Sequence, residues 1–152
     1  MTTAHTPTAF SVLLTGLSAA LVAALPGVQV HVNRTRPVAA GESRAVTLRL
    51  GNTRRDPQGP LGAADWQTII EVECAARTPT GQDPAAEADA MLAAAWTALL
   101  GAPLGLPDVL DLDAEPEIAP DYDAADSQFV AFTFRLAVRH RTHANSLTPW
   151  ST

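Results

Sequence analysis

Val130, Phe132, Phe134, Leu136 and Val138 occupy every second position of one stretch, with Thr133, Arg135, Ala137 and Arg139 between them. Successive side chains of a strand point to opposite faces, so residues 129–140 read as a long strand with one buried and one wet face. A slip of one residue would turn the whole apolar row into water, so the pattern constrains the register as well as the strand. Three shorter stretches share the period. Residues 66–76 set Trp66, Thr68, Ile70, Val72 and Cys74 against Gln67, Glu71 and Glu73. Residues 44–50 set Val46, Leu48 and Leu50 against Thr47 and Arg49, and Val28, Val30 and Val32 alternate with Gln29 and His31. A sheet with one apolar face needs a second layer to cover it.

Two helical patterns supply that layer. Thr6-Pro7 makes a good helix start, and Phe10, Leu13, Leu14, Leu17, Leu21 and Leu25 then recur at three- and four-residue spacing until Pro26-Gly27 stops the run. In the second helix Asp83 caps, Pro84 fits the first turn, and Glu87 and Asp89 favour the N-terminus. Met91, Leu92, Ala95, Trp96, Leu99 and Leu100 form its buried stripe before Gly101 and Pro103. The order is helix, three strands, helix, two strands. It predicts an α+β fold, a mainly antiparallel sheet of about 4–5 strands with two helices packed on one face. A chain of 152 residues fits one such domain, taken as residues 1–140. Residues 51–65, GNTRRDPQGPLGAAD, read as a long projecting loop, because they are rich in glycine and proline. Residues 107–126 read as a short strand at 109–112 followed by a mobile stretch, and residues 141–152 as an extended tail.

Charge comes in blocks. Residues 31–55 hold six arginines and one acid, residues 83–126 hold eleven acids and no arginine, and residues 135–152 hold three arginines and no acid. Opposite-signed regions on one small protein can steer and register an interface between copies of itself. The plainer alternative is a solvated acidic loop and a solvated basic strand face. A net charge of −6 argues against generic nucleic-acid binding. Residues 9–25 are apolar, but no lysine or arginine precedes them and Ser11, Thr15 and Ser18 interrupt them. They are read as a core-facing helix rather than a membrane span, with a cleaved signal peptide as the alternative. A single cysteine, Cys74, excludes an intramolecular disulfide and fits a small core residue.

Catalytic patterns are sparse. The histidines are His5, His31, His140 and His143, and the odd spacing of the last two points them apart on an extended chain. No serine sits in a nucleophile-elbow pattern, and GNTRRDPQGPLG lacks both phosphate-cradling spacings. Asp111-x-Asp113-x-Glu115 imitates the start of a calcium loop, but Pro116 stands where the sharp turn needs glycine. A looser divalent-ion site from Asp121, Asp123 and Asp126 is left open. The expectation is no catalytic residue, no cofactor and no built metal site.

One family shares this order of elements. A leading amphipathic helix, a strand, a hairpin, an IEVEC strand, a helix with an AEADAMLAAAW face and an acidic link into FVAFTFRLAVRHRT resemble the tail-terminator, or tail-completion, proteins of long-tailed bacteriophages over roughly residues 8–142. The resemblance implies a structural virion protein rather than an enzyme. It implies a six-membered ring on the head-proximal end of the tail tube, which stops tube growth and offers a surface to head-completion proteins. The implied partners are copies of itself, the tail tube protein and head-completion or neck proteins, with no nucleic-acid reading and no membrane. Arg34, Arg36, Arg54 and Arg55 are then expected on one side of the contacts, and Asp111, Asp113, Glu115, Glu117, Asp121 and Asp123 on the other. Trp150, in a polar tail, is expected as a partner anchor. Another head–tail connector protein, or a secreted binding domain, are the alternatives.

Overall fold

A computed structural model describes residues 5–35, 39 and 41–151. The elements run α1 (Ala9–Ala24), β1 (Gln29–Val32), β2 (Arg44–Arg55), β3 (Ala63–Arg77), α2 (Pro84–Leu100), β4 (Val109–Tyr122) and β5 (Phe129–His143). The strands form one sheet in the order β1-β2-β3-β5-β4. Neighbours pair antiparallel except β1, which lies parallel to β2. This is the α+β fold the patterning predicts. The parallel edge has a simple cause: residues 33–43 separate β1 from β2, enough chain to return to the starting end, whereas tight hairpins use two to five residues.

The buried face is the one the alternation marks. Val72 lies opposite Phe134 and Ile70 opposite Leu136, Val46 and Leu48 continue the row onto β2, and Leu112 continues it onto β4. Leu13, Leu14, Leu17 and Leu21 of α1 and Ala88, Met91, Ala95 and Leu99 of α2 close over it. Each large side chain so buried contributes about 1.5–3 kcal/mol. Asp83 caps α2 by accepting from the Ala85 N–H at 2.9 Å. For α1 the cap is Thr8, whose Oγ1 accepts from the Ser11 N–H at 3.3 Å, so the helix starts slightly after the predicted Thr6-Pro7. Among the described residues no helix is long and apolar enough to cross a membrane.

Three expectations are corrected. The 51–65 segment is mostly strand: Thr53, Arg54 and Arg55 pair with Thr68, Gln67 and Trp66, and only residues 56–62 turn. A β-bulge between Leu50 and Thr53 absorbs Gly51 and Asn52, whose composition reads as a loop. A Cβ on Gly51 would meet the Ile69 carbonyl oxygen at 2.9 Å, so glycine there allows close strand approach rather than a turn. The acidic segment is likewise a full strand, β4, with register shifts at Val109/Asp111 and Ala114/Ile118. Residues 117–122 are exposed whichever way they point, which erases any alternation. Finally, β5 runs on to His143 and the tail folds back. Thr142 bridges Pro149, and the Ala9 N–H donates to the Leu147 carbonyl at 2.7 Å.

Candidate functional site

The face of the sheet opposite the helices carries charge in a cross-strand ladder. Arg49 donates to Glu71 and to Glu73, both at 3.2 Å, and the Arg135 Nε lies 3.7 Å from Glu71. Burial draws the Arg49 guanidinium down, but Glu73 and then Glu71 outweigh it and hold it above its usual value. Arg49 Nε also donates to the Arg34 carbonyl at 3.1 Å. Arg34 Nη1 in turn reaches Glu42 at 2.8 Å and donates to His31 Nε2 at 2.7 Å. Burial pushes the Glu42 carboxyl up, yet Arg34 and then His31 outweigh it and keep it below the usual range. Arg77 pairs with Asp126 and lies 5.4 Å above the Phe129 ring. Arg141 grips Asp65 with two bonds, at 2.6 and 3.0 Å, a bidentate geometry that lowers the Asp65 pKa.

Arg34, Arg49, Arg77, Arg135 and Arg141 are thus each paired within the chain. Among the described arginines that leaves Arg44, Arg54, Arg55 and Arg139 without an ion pair. Arg54, Arg55 and Arg139 line one cleft of about 200 Å³ together with Asp56, Pro57, Asp65, Trp66 and Gln67. The register puts Arg54 and Arg139 on one face, since Arg54 lies across from Gln67 and Gln67 across from Arg139, whereas Arg55 lies across from Trp66 and belongs to the other face.

Unpaired negative charge collects on β4. Asp111, Asp113, Glu115, Glu117 and Asp121 lie on this edge strand, and Asp123 lies in the turn that follows. Among the described residues none of them forms an ion pair. Asp113 accepts from the Ala114 N–H and Asp123 from the Ala125 N–H, so both also serve local backbone.

The predicted site residues therefore divide. Arg54 and Arg55 line the same cleft but lie on opposite faces of β2, and the acids share one edge. Arg34 is occupied by Glu42, and Arg36 lies outside the described residues. Trp150 is 41% exposed with its ring 4.9 Å from that of His143, so it is partly spent on its own chain. Arg139, read from the sequence only as an outward residue of the sheet face, joins the arginine cleft. Its partners Arg54 and Gln67 follow from the strand register, which becomes legible only once residues 51–55 are known to be strand.

Groups capable of chemistry are dispersed. Burial, then Glu73, pushes the Cys74 thiol up to about 12, which keeps it protonated and inert. His140 is buried, with Nε2 2.8 Å from Thr68 Oγ1, Nδ1 without a partner and the Phe10 ring edge-on at 5.2 Å. Among the described residues no group of His, Cys, Asp and Glu is placed to hold a metal ion. A hollow of about 590 Å³ between the end of α2 and the start of β4 is lined by leucine, alanine, glycine and proline, with Asp111 at one side.

No protein-family model matches the sequence, and no curated protein matches it. Solved structures do share the fold. A chain of the virion of a native gene transfer agent particle is similar with a TM-score of 0.53 and 16% identity, covering 89% of this chain and 92% of that one. The sheath/tube terminator of an extracellular contractile injection system, in its extended state, is similar with a TM-score of 0.53 and 12% identity. That match covers 95% of this chain and 61% of the terminator.

Proposed function

We propose that this protein is a structural component of a phage-like tail, a terminator that forms a ring on the head-proximal end of the tail tube. There it stops tube polymerisation and presents the surface to which the head joins. The observation that carries the reading is the fold shared, over nearly the whole chain, with a sheath/tube terminator and with a chain of a gene transfer agent virion. Segregated charge supports it, because a closed ring is a heterologous assembly in which each copy offers two different complementary patches. The role needs no catalysis and no cofactor. Its partners are further copies of itself, the tail tube protein and head-completion or neck proteins, and its place is the virion.

The test is electron microscopy of particles made when the gene is disabled in the system that encodes it. Overlong, headless tubes beside filled heads are the expected result. Tails of normal length that fail to join heads would instead make it a neck or connector protein. Unaffected particles would overturn the structural reading. A secreted binding domain is disfavoured by packing: residues 9–24 supply Leu13, Leu14, Leu17 and Leu21 to the core, and their removal would open it.

A further inference from the structure

We propose that the cleft bearing Arg54 and Arg139 is the socket for the acidic edge of a second copy, entered by Glu115, Glu117 and Asp121 of its β4. This rests on the ring reading above and assigns the two faces of each subunit contact.

The argument starts from what each charge has left to bind. Arg34, Arg49, Arg135 and Arg141 are spent on carboxylates of their own chain, whereas Arg54 and Arg139 share one cleft in which neither forms an ion pair with the lining carboxylates Asp56 and Asp65. Asp65 is already held by both arms of Arg141 and acts on Arg139 only at longer range, and Asp56 accepts from the Gln58 N–H, so neither forms an ion pair with Arg54 or Arg139. Two guanidinium forks on one face of a concave site are suited to planar carboxylates, which each can bind through two parallel N–H bonds.

The chain's own β4 acids cannot all serve. Asp111 sits opposite Arg139 across the β4–β5 pair, but Asp121 sits opposite Ala131. Eight residues of strand separate Arg139 from Ala131, about 26 Å at 3.3 Å per residue. That exceeds the reach of any side chain, so the far part of the acidic edge needs another molecule. A second copy supplies it by charge complementarity, and the contact is head to tail because socket and edge are different surfaces.

The edge also dictates how the contact is made. Pro116 and Pro120 remove backbone donors from β4, and a register shift spans Ala114 to Ile118. Such an edge resists strand-to-strand pairing along its length. Carboxylate side chains, rather than a continued ladder of backbone bonds, are what it offers a neighbour.

The test is a charge exchange, read by sedimentation velocity at low ionic strength and up to millimolar protein. Four samples are compared: wild type, R54E/R139E, E117R/D121R, and an equal mixture of the two variants. All replaced residues except Glu117 and Asp121 lie on β2 or β5, and all are exposed, so unchanged circular dichroism and melting are expected to confirm folding. The wild type is expected to oligomerise, each variant alone to sediment as a monomer, and the mixture to regain the wild-type species. In the mixture each acidic socket meets a basic edge and each acidic edge a basic socket. Variants that oligomerise like the wild type, a mixture that stays monomeric, or a wild type that stays monomeric throughout would each overturn the socket. Overlong tubes in the gene-disabled system, alongside any of those three, would leave the terminator reading standing without it. A restored mixture with normal tubes in that system would do the reverse.

Discussion

At the scale of single residues, the chain holds two buried titrating groups whose pH windows separate. Burial lowers the His140 pKa, with Asp65 opposing weakly, so the folded state binds that proton less readily than the unfolded chain. A group with a depressed folded pKa contributes stability above its unfolded value and loses it as pH falls. Melting temperature is therefore expected to hold above about pH 6.5 and to fall below it, with the loss relieved in His140→Gln. Asp65 follows the same sign in a lower window. Arg141 holds its carboxyl down, so stability from this pair is present above about pH 4 and disappears as the acid is protonated below that. Asp65→Asn is expected to cost about 1–3 kcal/mol at neutral pH, because it leaves a charge-assisted bidentate bond half made. Thermal melts of both variants between pH 3 and 8 check the assignment. A His140→Gln melt that falls as steeply as the wild type between pH 6.5 and 5 would refute it.

At the scale of elements, what was legible in the sequence depended on whether one face was covered. β5 and the central part of β3 have a helix layer on one side and water on the other, and their alternation gave both strand and facing correctly. α2 announced itself by Asp83, Pro84 and a leucine–alanine stripe. β4 has little cover over residues 117–122, so no alternation survives to be read, and its prolines read as disorder. The distal β2–β3 hairpin failed for a related reason: Gly51 and Asn52 belong to a bulge, but glycine-rich composition cannot distinguish a bulge from a turn. The socket was half legible in consequence. Arg54 and Arg55 stand out as a basic pair, whereas Arg139 joins Arg54, and Arg55 leaves it, only through a register the sequence did not reveal. The β4 prolines carry a prediction of their own. Replacing Pro116 and Pro120 with threonine restores two strand donors on an open edge, and is expected to raise aggregation, seen as turbidity or thioflavin binding on incubation, with little change in melting temperature. Aggregation equal to the wild type would show that the charges alone protect the edge.

At the scale of the whole molecule, net charge and charge placement make opposing forecasts, and that opposition gives a discriminating measurement. Copies carrying −6 repel one another at a distance, so any association must overcome that repulsion through local complementarity. Replacing Glu117 and Asp121 with arginine brings the net charge to about −2, whereas replacing Arg54 and Arg139 with glutamate takes it to about −10. If bulk repulsion governed association, the first variant would assemble better than wild type and the second worse. If the socket and the edge govern it, both lose assembly despite moving net charge in opposite directions. Salt separates the two further. Added salt relieves long-range repulsion within a Debye length of about 10 Å at 0.1 M, but also screens exposed carboxylate–guanidinium contacts. Wild-type association is therefore expected to weaken steadily from 0.05 to about 0.5 M salt, as surface ion pairs do. An association that strengthens over that range would mean that apolar surface, such as the Leu110 side of the hollow beside β4, carries the contact instead of the arginines.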